Sequence, residues 1–370
     1  MSDYRHISAA LDFLNLEGDV LVMQVVERQC AAAPEAPWST NPQARQRCVE
    51  DNRFHLHHLT ASILAGNPVI FSDYCGWVKV VLGKRGIAAF HLKENLEHWK
   101  AALLASAPET AGDVIAGYLD VGLECLPRYP DELAPVMAGT PLTTLLSRYV
   151  ERILALDSTG AAQLIESSAT DANSIFDLYV HVLQPAQREI GRLWQVNSIS
   201  VAVEHYATAT AQQILHRLSR MVPPRTRRNA RMIGICGEGE HHCVGLQMVC
   251  SLCQLDGWDT YFVGANTPMT SAIELSRQLQ PDIIAVSMTT LIALQNTRML
   301  IAKLKEALPE AIIVVGGYAA TLGTDLWKIF GADAYAADAI AALSAMERIL
   351  ESRKTGQLNR PPPQPTQGCT

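Results

Sequence analysis

The residues best equipped for chemistry in this 370-residue sequence gather in two places. The richer is the run Gly237, Glu238, Gly239, Glu240, His241, His242, Cys243, Val244, Gly245. It looks at first like a phosphate loop. A dinucleotide fingerprint opening at Gly237 needs glycine where His242 stands, however, and a P-loop needs Gly-Lys-Ser/Thr at its end. The run instead offers a carboxylate two residues before an imidazole and a glycine three residues after it. A loop histidine can turn one ring nitrogen to a metal while a carboxylate holds the other, which fixes the tautomer and raises ligand basicity. The second group is Trp194, followed after nine residues by Glu204 and His205, an indole and an imidazole–carboxylate pair on neighbouring helical stretches. Cys250 and Cys253 form a C-x-x-C, but no second Cys or His pair stands at zinc-site spacing. Nine cysteines scattered over so long a chain read as mostly reduced and buried.

Both groups need elements to position them. From about residue 230, short apolar runs rich in β-branched residues alternate with amphipathic stretches. Strands are predicted at 232–236, 260–263, 283–287, 312–315 and 332–336, and helices at 246–255, 271–279, 297–308, 325–330 and 339–350. This alternation predicts a doubly wound, mostly parallel sheet, whose ligands bind at the carboxyl ends of its strands. Glu240 and His242 fall on the first of those loops. Upstream, Leu145, Leu146, Tyr149, Ile153 and Leu154 recur at helical spacing, as do Ile175, Leu178, Tyr179, Val182 and Leu183. Pro185 starts or kinks a further helix, residues 197–200 cap a last one, and four helices on short turns predict a small bundle. The first 139 residues are also mainly helical, with Leu56, Leu59 and Ile63 on one face and a break at Asn67 and Pro68.

Composition sets the outer limits. The chain is 48% apolar and only 18% charged, with a formal net charge of -7. That balance argues against a nucleic-acid binder, which usually shows a basic surplus. No apolar run approaches the roughly twenty residues that span a bilayer, and no signal peptide is evident, so a cytoplasmic protein without a membrane partner is expected. The basic run Arg217, Arg220, Arg225, Arg227, Arg228 and Arg231 reads as a solvated linker.

The E-x-H-x-x-G at 240–245 resembles the D-x-H-x-x-G of cobalamin-binding domains. Ser287 with Thr289 resembles that family's S-x-L or S-x-T, and Gly316 with Gly317 its G-G. Each feature alone also fits an ordinary loop; three in order on the expected loops favour cobalamin. The resemblance implies that His242 is the lower axial cobalt ligand in place of the cofactor's benzimidazole. It places Glu240 behind that ligand, with Gly245, Ser287, Thr289, Gly316 and Gly317 around the nucleotide tail. Glu240 departs from the family's Asp by one methylene, which puts the geometry of its hydrogen bond in question.

W-x9-E-H is similar to the signature of the cobalamin photoreceptor domain of light-responsive transcriptional repressors. There the Trp packs near the upper adenosyl group, the Glu contacts it, and the His takes the upper cobalt position after light has cleaved the cobalt–carbon bond. This resemblance covers about residues 141–350 and implies those roles for Trp194, Glu204 and His205. The domain that reads DNA in such repressors has no evident counterpart here. The N-terminal segment resembles instead the helical domain of photocobilins, which pair cobalamin with biliverdin. His55, His58, Tyr74, Lys79 and Arg85 are candidate bilin contacts by residue type, as they are also ordinary constituents of a helical core, and Cys75 reads as a buried thiol.

The expectation is therefore an all-α N-terminal domain at 1–139, a four-helix bundle at 140–222 and a Rossmann-like, flavodoxin-like cobalamin domain at 229–352, with a disordered tail at 353–370. Its expected role is that of a light sensor using adenosylcobalamin, with no enzyme activity of its own. It would act as a homo-oligomer, a dimer being favoured, and signal to another protein without direct DNA binding. A corrinoid carrier for methyl transfer would share His242 and the sheet motifs but has no use for the Trp194, Glu204 and His205 group. A storage or trafficking protein would not need that group either.

Overall fold

The computed structural model describes residues 2–136, 139–322 and 326–354. The first unit is built from α1 (Ser2–Ala32), α2 (Pro37–Thr40), α3 (Pro42–Leu64), α4 (Pro68–Gly83), α5 (Ala89–Ser106) and α6 (Glu109–Cys125). Asparagine and proline set two of its helix starts. The Asn41 side chain accepts from the Gln43 and Ala44 N–H groups, Asn67 accepts from Val69, and Pro42 and Pro68 occupy first-turn positions where no N–H is needed. Leu21, Leu59, Phe71, Leu96, Trp99, Ile115 and Leu119 fill the core. Trp99 could enter it because Asn52 accepts its indole N–H at 2.8 Å.

A second helical unit follows: α7 (Thr143–Leu154), α8 (Ser158–Glu166), α9 (Ala172–Leu178), a π turn at Tyr179–Leu183, α10 (Gln184–Gln195) and α11 (Val201–Met221). Pro185 stands in the first turn of α10, directly after the π turn. Its missing N–H and its ring disfavour regular α-helical pairing there, and the wider turn accommodates it. The core of this unit includes Met248, Leu252 and Leu255 of the next helix, so the unit sits on the α/β domain.

That domain runs β1 (Arg231–Gly237), α12 (Val244–Leu255), β2 (Asp259–Thr267), α13 (Met269–Leu279), β3 (Ile283–Ser287), α14 (Leu294–Ala307), β4 (Ile312–Gly316), a 3-10 turn at Tyr318–Thr321, α15 (Leu326–Ile329), β5 (Ala334–Ala336) and α16 (Ala339–Lys354). The strands are all parallel in the order β2-β1-β3-β4-β5, the flavodoxin-like order, and the sheet is Rossmann-like. The inner strands β3 and β4 are nearly continuous apolar runs because helices cover both faces. β2 extends four residues beyond its predicted end. Gly264, Ala265, Asn266 and Thr267 read as a turn, yet the strand continues through register shifts against β1, with Gly264 at φ 102° and Asn266 at φ 49°. The expected tail lies outside the described residues from 355 onward, residues 353 and 354 closing α16.

The arginine run is not a solvated linker throughout. Asp256 is wholly buried and accepts from the Trp258 indole at 3.2 Å, so its charge needs partners. Arg225 and Arg228 supply them at 3.0 and 2.7 Å, and Arg231 pairs with Asp259 at 2.8 Å.

The first unit touches both others. Ala61, Ala65 and Ile70 belong to the apolar layer that covers one face of the sheet, and the Asn67 amide donates to the Leu322 carbonyl at 2.8 Å. Arg192 of α10 reaches the Leu133 carbonyl, and Glu189 accepts from the Val136 N–H at 2.9 Å. Among the described residues no helix is long and apolar enough to cross a membrane.

Candidate functional site

The crevice where strand order reverses, between β1 and β3, is bordered by the loops after those strands. Glu240, on the first loop, joins them. Its side chain is fully buried, and Oε1 accepts from the His242 N–H at 2.9 Å and lies 3.0 Å from His242 Nδ1. Oε2 accepts from the Thr289 and Thr290 N–H groups, both at 2.8 Å, and from the Thr290 hydroxyl at 3.2 Å. Burial pushes the Glu240 carboxyl up, but the bonds from the His242 ring and from the Thr290, His242 and Thr289 amides outweigh it and hold the group below the usual carboxylate range. The same hydrogen bond raises the His242 imidazole against its partial burial. With Nδ1 engaged, Nε2 is the nitrogen left for a metal, on a side chain that remains 63% exposed. The hydrogen bond left in question by the longer side chain is made, and one carboxylate links the imidazole to the second loop.

Other groups fix this floor. Ser287 Oγ donates to the His242 carbonyl at 3.3 Å and lies 3.2 Å from Thr289 Oγ1. Asn266, at the end of β2, accepts from the Gly239 N–H at 2.8 Å and donates its own N–H to the Glu240 carbonyl at 2.8 Å. The glycines divide by role. Gly317 has φ 104°, and a Cβ there would stand 2.6 Å from the Met288 carbonyl, so glycine is required for the loops after β3 and β4 to meet. A Cβ on Gly316 would come within 3.1 Å of the Ala336 carbonyl. At Gly245 it would meet nothing within 4 Å, so that glycine borders open space.

The opposing group stands on α11, whose start Ser200 caps. Glu204 Oε2 lies 2.6 Å from His205 Nδ1, and the Thr208 hydroxyl lies 3.0 Å from Glu204 Oε1 and 3.1 Å from Gln187 Oε1. His205 is 74% exposed. The Glu204 charge adds to the rise of the His242 imidazole, so Glu204 faces His242 across the seam between α11 and the sheet. Gln212 of α11 donates to Cys243 Sγ at 3.2 Å and stitches that seam.

Trp194, near the end of α10, packs against the first unit, with its ring 6.0 Å from that of Trp77 and 5.4 Å beneath the Arg85 guanidinium. The N-terminal candidates separate into two sets. His55 is buried with Nδ1 2.8 Å from the Tyr74 hydroxyl, and His58 stacks on the Tyr74 ring at 3.7 Å. Burial lowers these imidazoles to about 3 and about 4, so both are neutral. Lys79 lies elsewhere, bound to the Tyr129 carbonyl at 2.7 Å and to Asp131 at 2.9 Å, and Arg85 faces Trp194. Cys75 is a buried free thiol.

Sequence reading did not single out Thr290, Asn266, Thr208 or Gln187. Thr208 had a signal, since it stands one helical turn after Glu204. The others depend on chain segments brought together only by the fold.

Residues 230–344 match the family described as B12 binding domain, and residues 145–219 match a second family of the same description. The HTH-type transcriptional repressor CarA of Myxococcus xanthus is 26% identical over 179 residues, covering 48% of this chain and 59% of that protein. A dimethylamine corrinoid protein of Methanosarcina barkeri is 32% identical over 117 residues, covering 30% of this chain and 53% of the relative. The chain thus spans between half and two thirds of the length of these relatives. Among solved structures, the Methanosarcina barkeri monomethylamine corrinoid protein aligns with a TM-score of 0.46 at 17% identity, over 56% of this chain and 99% of the other.

Proposed function

We propose that this cobalamin-binding protein is a light sensor that uses adenosylcobalamin and has no enzyme activity of its own. The observation that carries the reading is the pair of matched imidazoles: His205 and His242 are each held at Nδ1 by a glutamate, on opposite sides of one seam. Among the described residues no group of three or more His, Cys, Asp or Glu side chains could hold a metal ion. One imidazole on each side suits a metal that brings its remaining ligands with it, and the open space beside Gly245 suits a bulky appendage.

Bound adenosylcobalamin supplies a cobalt–carbon bond that light can break. His242, oriented by Glu240, would hold the cobalt from the sheet side, with Ser287, Thr289, Gly316 and Gly317 shaping the floor around the cofactor and Gly245 leaving room for its tail. His205, on the opposite side, would offer Nε2 to the cobalt after illumination, and Glu204 at Nδ1 would keep its ring in the required tautomer. Trp194 forms part of the roof. We divide the chain at 1–139, 140–222 and 229–352, with 353–370 as a tail, and read the middle domain as a four-helix cap. Its movement alters a homo-oligomer, most simply a dimer, that addresses a signalling protein in the cytoplasm, with neither DNA nor membrane contact. We also read the first domain as a biliverdin site, with His55, His58 and Tyr74 as its contacts; Lys79 and Arg85, proposed with them by residue type, are engaged apart from that cluster by Tyr129, Asp131 and Trp194.

Reconstitution in the dark followed by illumination tests the reading. Wild type is expected to show a lasting spectral change to a bis-histidine cobalt species, which His205→Ala prevents; an identical response from that variant would remove His205 from the mechanism. The alternative, a corrinoid carrier for methyl transfer, draws support from the similarity to the dimethylamine corrinoid protein. It predicts no lasting light response and transfer of a cobalt-bound methyl group to an acceptor. Co-expression with a biliverdin source is expected to give a red-absorbing band, whose absence would refute the bilin site.

A further inference from the structure

The contacts of Trp194 are made by a unit that carries neither Glu–His pair. Trp77 of α4 lies against it at 6.0 Å between ring centroids with planes 32° apart, and the Arg85 guanidinium covers its ring at 5.4 Å. Arg85 is itself anchored, its Nη1 donating to the Val81 carbonyl at 2.9 Å and reaching the Gln195 carbonyl at 3.4 Å. Next to these, the Asn197 amide donates to the Lys84 carbonyl at 3.4 Å. Asn197 adopts φ 59°, so the chain turns sharply just where the contacts are made. Behind Trp77 the aromatic series continues to Tyr74, at 6.3 Å, and to the His58 ring stacked on it. The same unit places Ala61, Ala65 and Ile70 in the apolar layer of the sheet domain and bonds Asn67 to the loop after β4. It therefore grips the helix that bears Trp194 and the domain that bears His242 at once.

We propose that Trp77 and Arg85 are positioning residues: through them the N-terminal unit clamps Trp194 and the end of α10, and so sets the gap into which cobalamin fits. This rests on the reading of Trp194 as part of the cobalamin roof. Two physical features make the clamp more than incidental packing. Arg85 is exposed and Trp77 is 37% exposed, so neither is required to fill a core. A guanidinium over an indole face gains from the ring quadrupole, and the carbonyl bonds of Arg85 hold it in that place.

Hydrogen exchange on the full-length apoprotein tests the clamp without any cofactor. Trp77→Leu and Arg85→Ala are each expected to speed exchange of the amides at 193–199 by about threefold to tenfold while the melting temperature holds, and Trp77→Phe should restore slow exchange. In the cobalamin-loaded protein the same two variants should release the cofactor several-fold faster, with Trp77→Phe again close to wild type. Unchanged exchange and unchanged release in both variants would overturn the clamp, and so would faster exchange throughout the chain accompanied by a lower melting temperature. If the wild type binds cobalamin but gives no light response, the light-sensor reading fails, while localised exchange and faster release would still establish the clamp.

Discussion

Glu240 binds His242 through one carboxylate oxygen, 3.0 Å from Nδ1, and gives the other to Thr289 and Thr290 on the loop beyond β3. Aspartate at this position would set the same two oxygens back by one methylene, away from the places where Glu240 meets the imidazole and the second loop. Glu240→Ala is expected to weaken cobalamin binding about 10- to 100-fold, and Glu240→Asp to fall between that variant and wild type. Absorbance titration measures both. Wild-type affinity in Glu240→Ala would show that the carboxylate plays no part in holding the ligand.

The Thr208 hydroxyl lies between Glu204 and Gln187. Thr208→Val keeps the shape and removes a bond whose net value is about 1 kcal/mol, enough to change a population several-fold. Dark binding should be unaffected, and the fraction of protein reaching the light-induced spectrum should fall. Rapid-scan absorbance after a flash reads that fraction, and a wild-type yield would exclude Thr208 from the orientation of Glu204.

Two glycines should separate folding from binding. Gly317→Ala forces a side chain into a backbone conformation reserved for glycine and against the Met288 carbonyl, and should cost at least about 2 kcal/mol of stability. Gly245→Ala meets open space in the first turn of a helix, so the apoprotein should be as stable as wild type or gain up to about 1 kcal/mol. Its cobalamin affinity should nevertheless drop. Urea unfolding and absorbance titration, run in parallel, check both halves.

Asp256→Asn should destabilise the fold by about 1.5 to 3 kcal/mol, because it removes the buried charge that the half-exposed Arg225 and Arg228 guanidiniums bind. Denaturant midpoints decide the matter; a loss below about 0.5 kcal/mol would return those arginines to the status of surface charges.

Glu189 of α10 supplies a pH dependence through an ion pair of its own. Burial raises its carboxyl, but Arg192 and the Val136 N–H outweigh that effect and depress it below its ordinary 4.5. A depressed folded pKa contributes stability that is complete above the unfolded value and disappears as pH falls through the folded one. Glu189→Gln should therefore be less stable than wild type by about 2 to 4 kcal/mol at neutral pH, with the difference shrinking below about pH 4. Unfolding curves at pH 7 and at mildly acid pH give both numbers, and a constant difference would contradict the assignment.

What the sequence disclosed depended on distance along the chain. Glu240 and His242 are two residues apart, and β1, β3 and β4 announce themselves as β-branched runs, so the floor of the site and the sheet were legible. The end of β2 was not, because Gly264 and Asn266 are turn residues that here serve a twisted strand. Thr290 stands 50 positions from Glu240, and Arg85 is 110 positions from the Gln195 carbonyl it reaches; neither partnership has a periodicity to betray it. The arginine run differs from its expected solvated state for a related reason: its charge is visible in the sequence, but the burial of the Asp256 that binds Arg225 and Arg228 is not.

The π turn at Tyr179–Leu183 gives the cap a mechanical property of its own. A π turn holds one more residue than the α turn it replaces, and one residue corresponds to about 100° of rotation about a helix axis. If those five residues relaxed into α geometry, everything from Gln184 onward would index round by that angle, carrying Gln187 and Trp194 with it, while α7 and α8 stayed where they are. Tyr179 lies inside the turn and its hydroxyl donates to the Leu215 carbonyl of α11 at 3.3 Å. The turn that carries the surplus residue is thus tied by a hydrogen bond to the helix that carries Glu204 and His205.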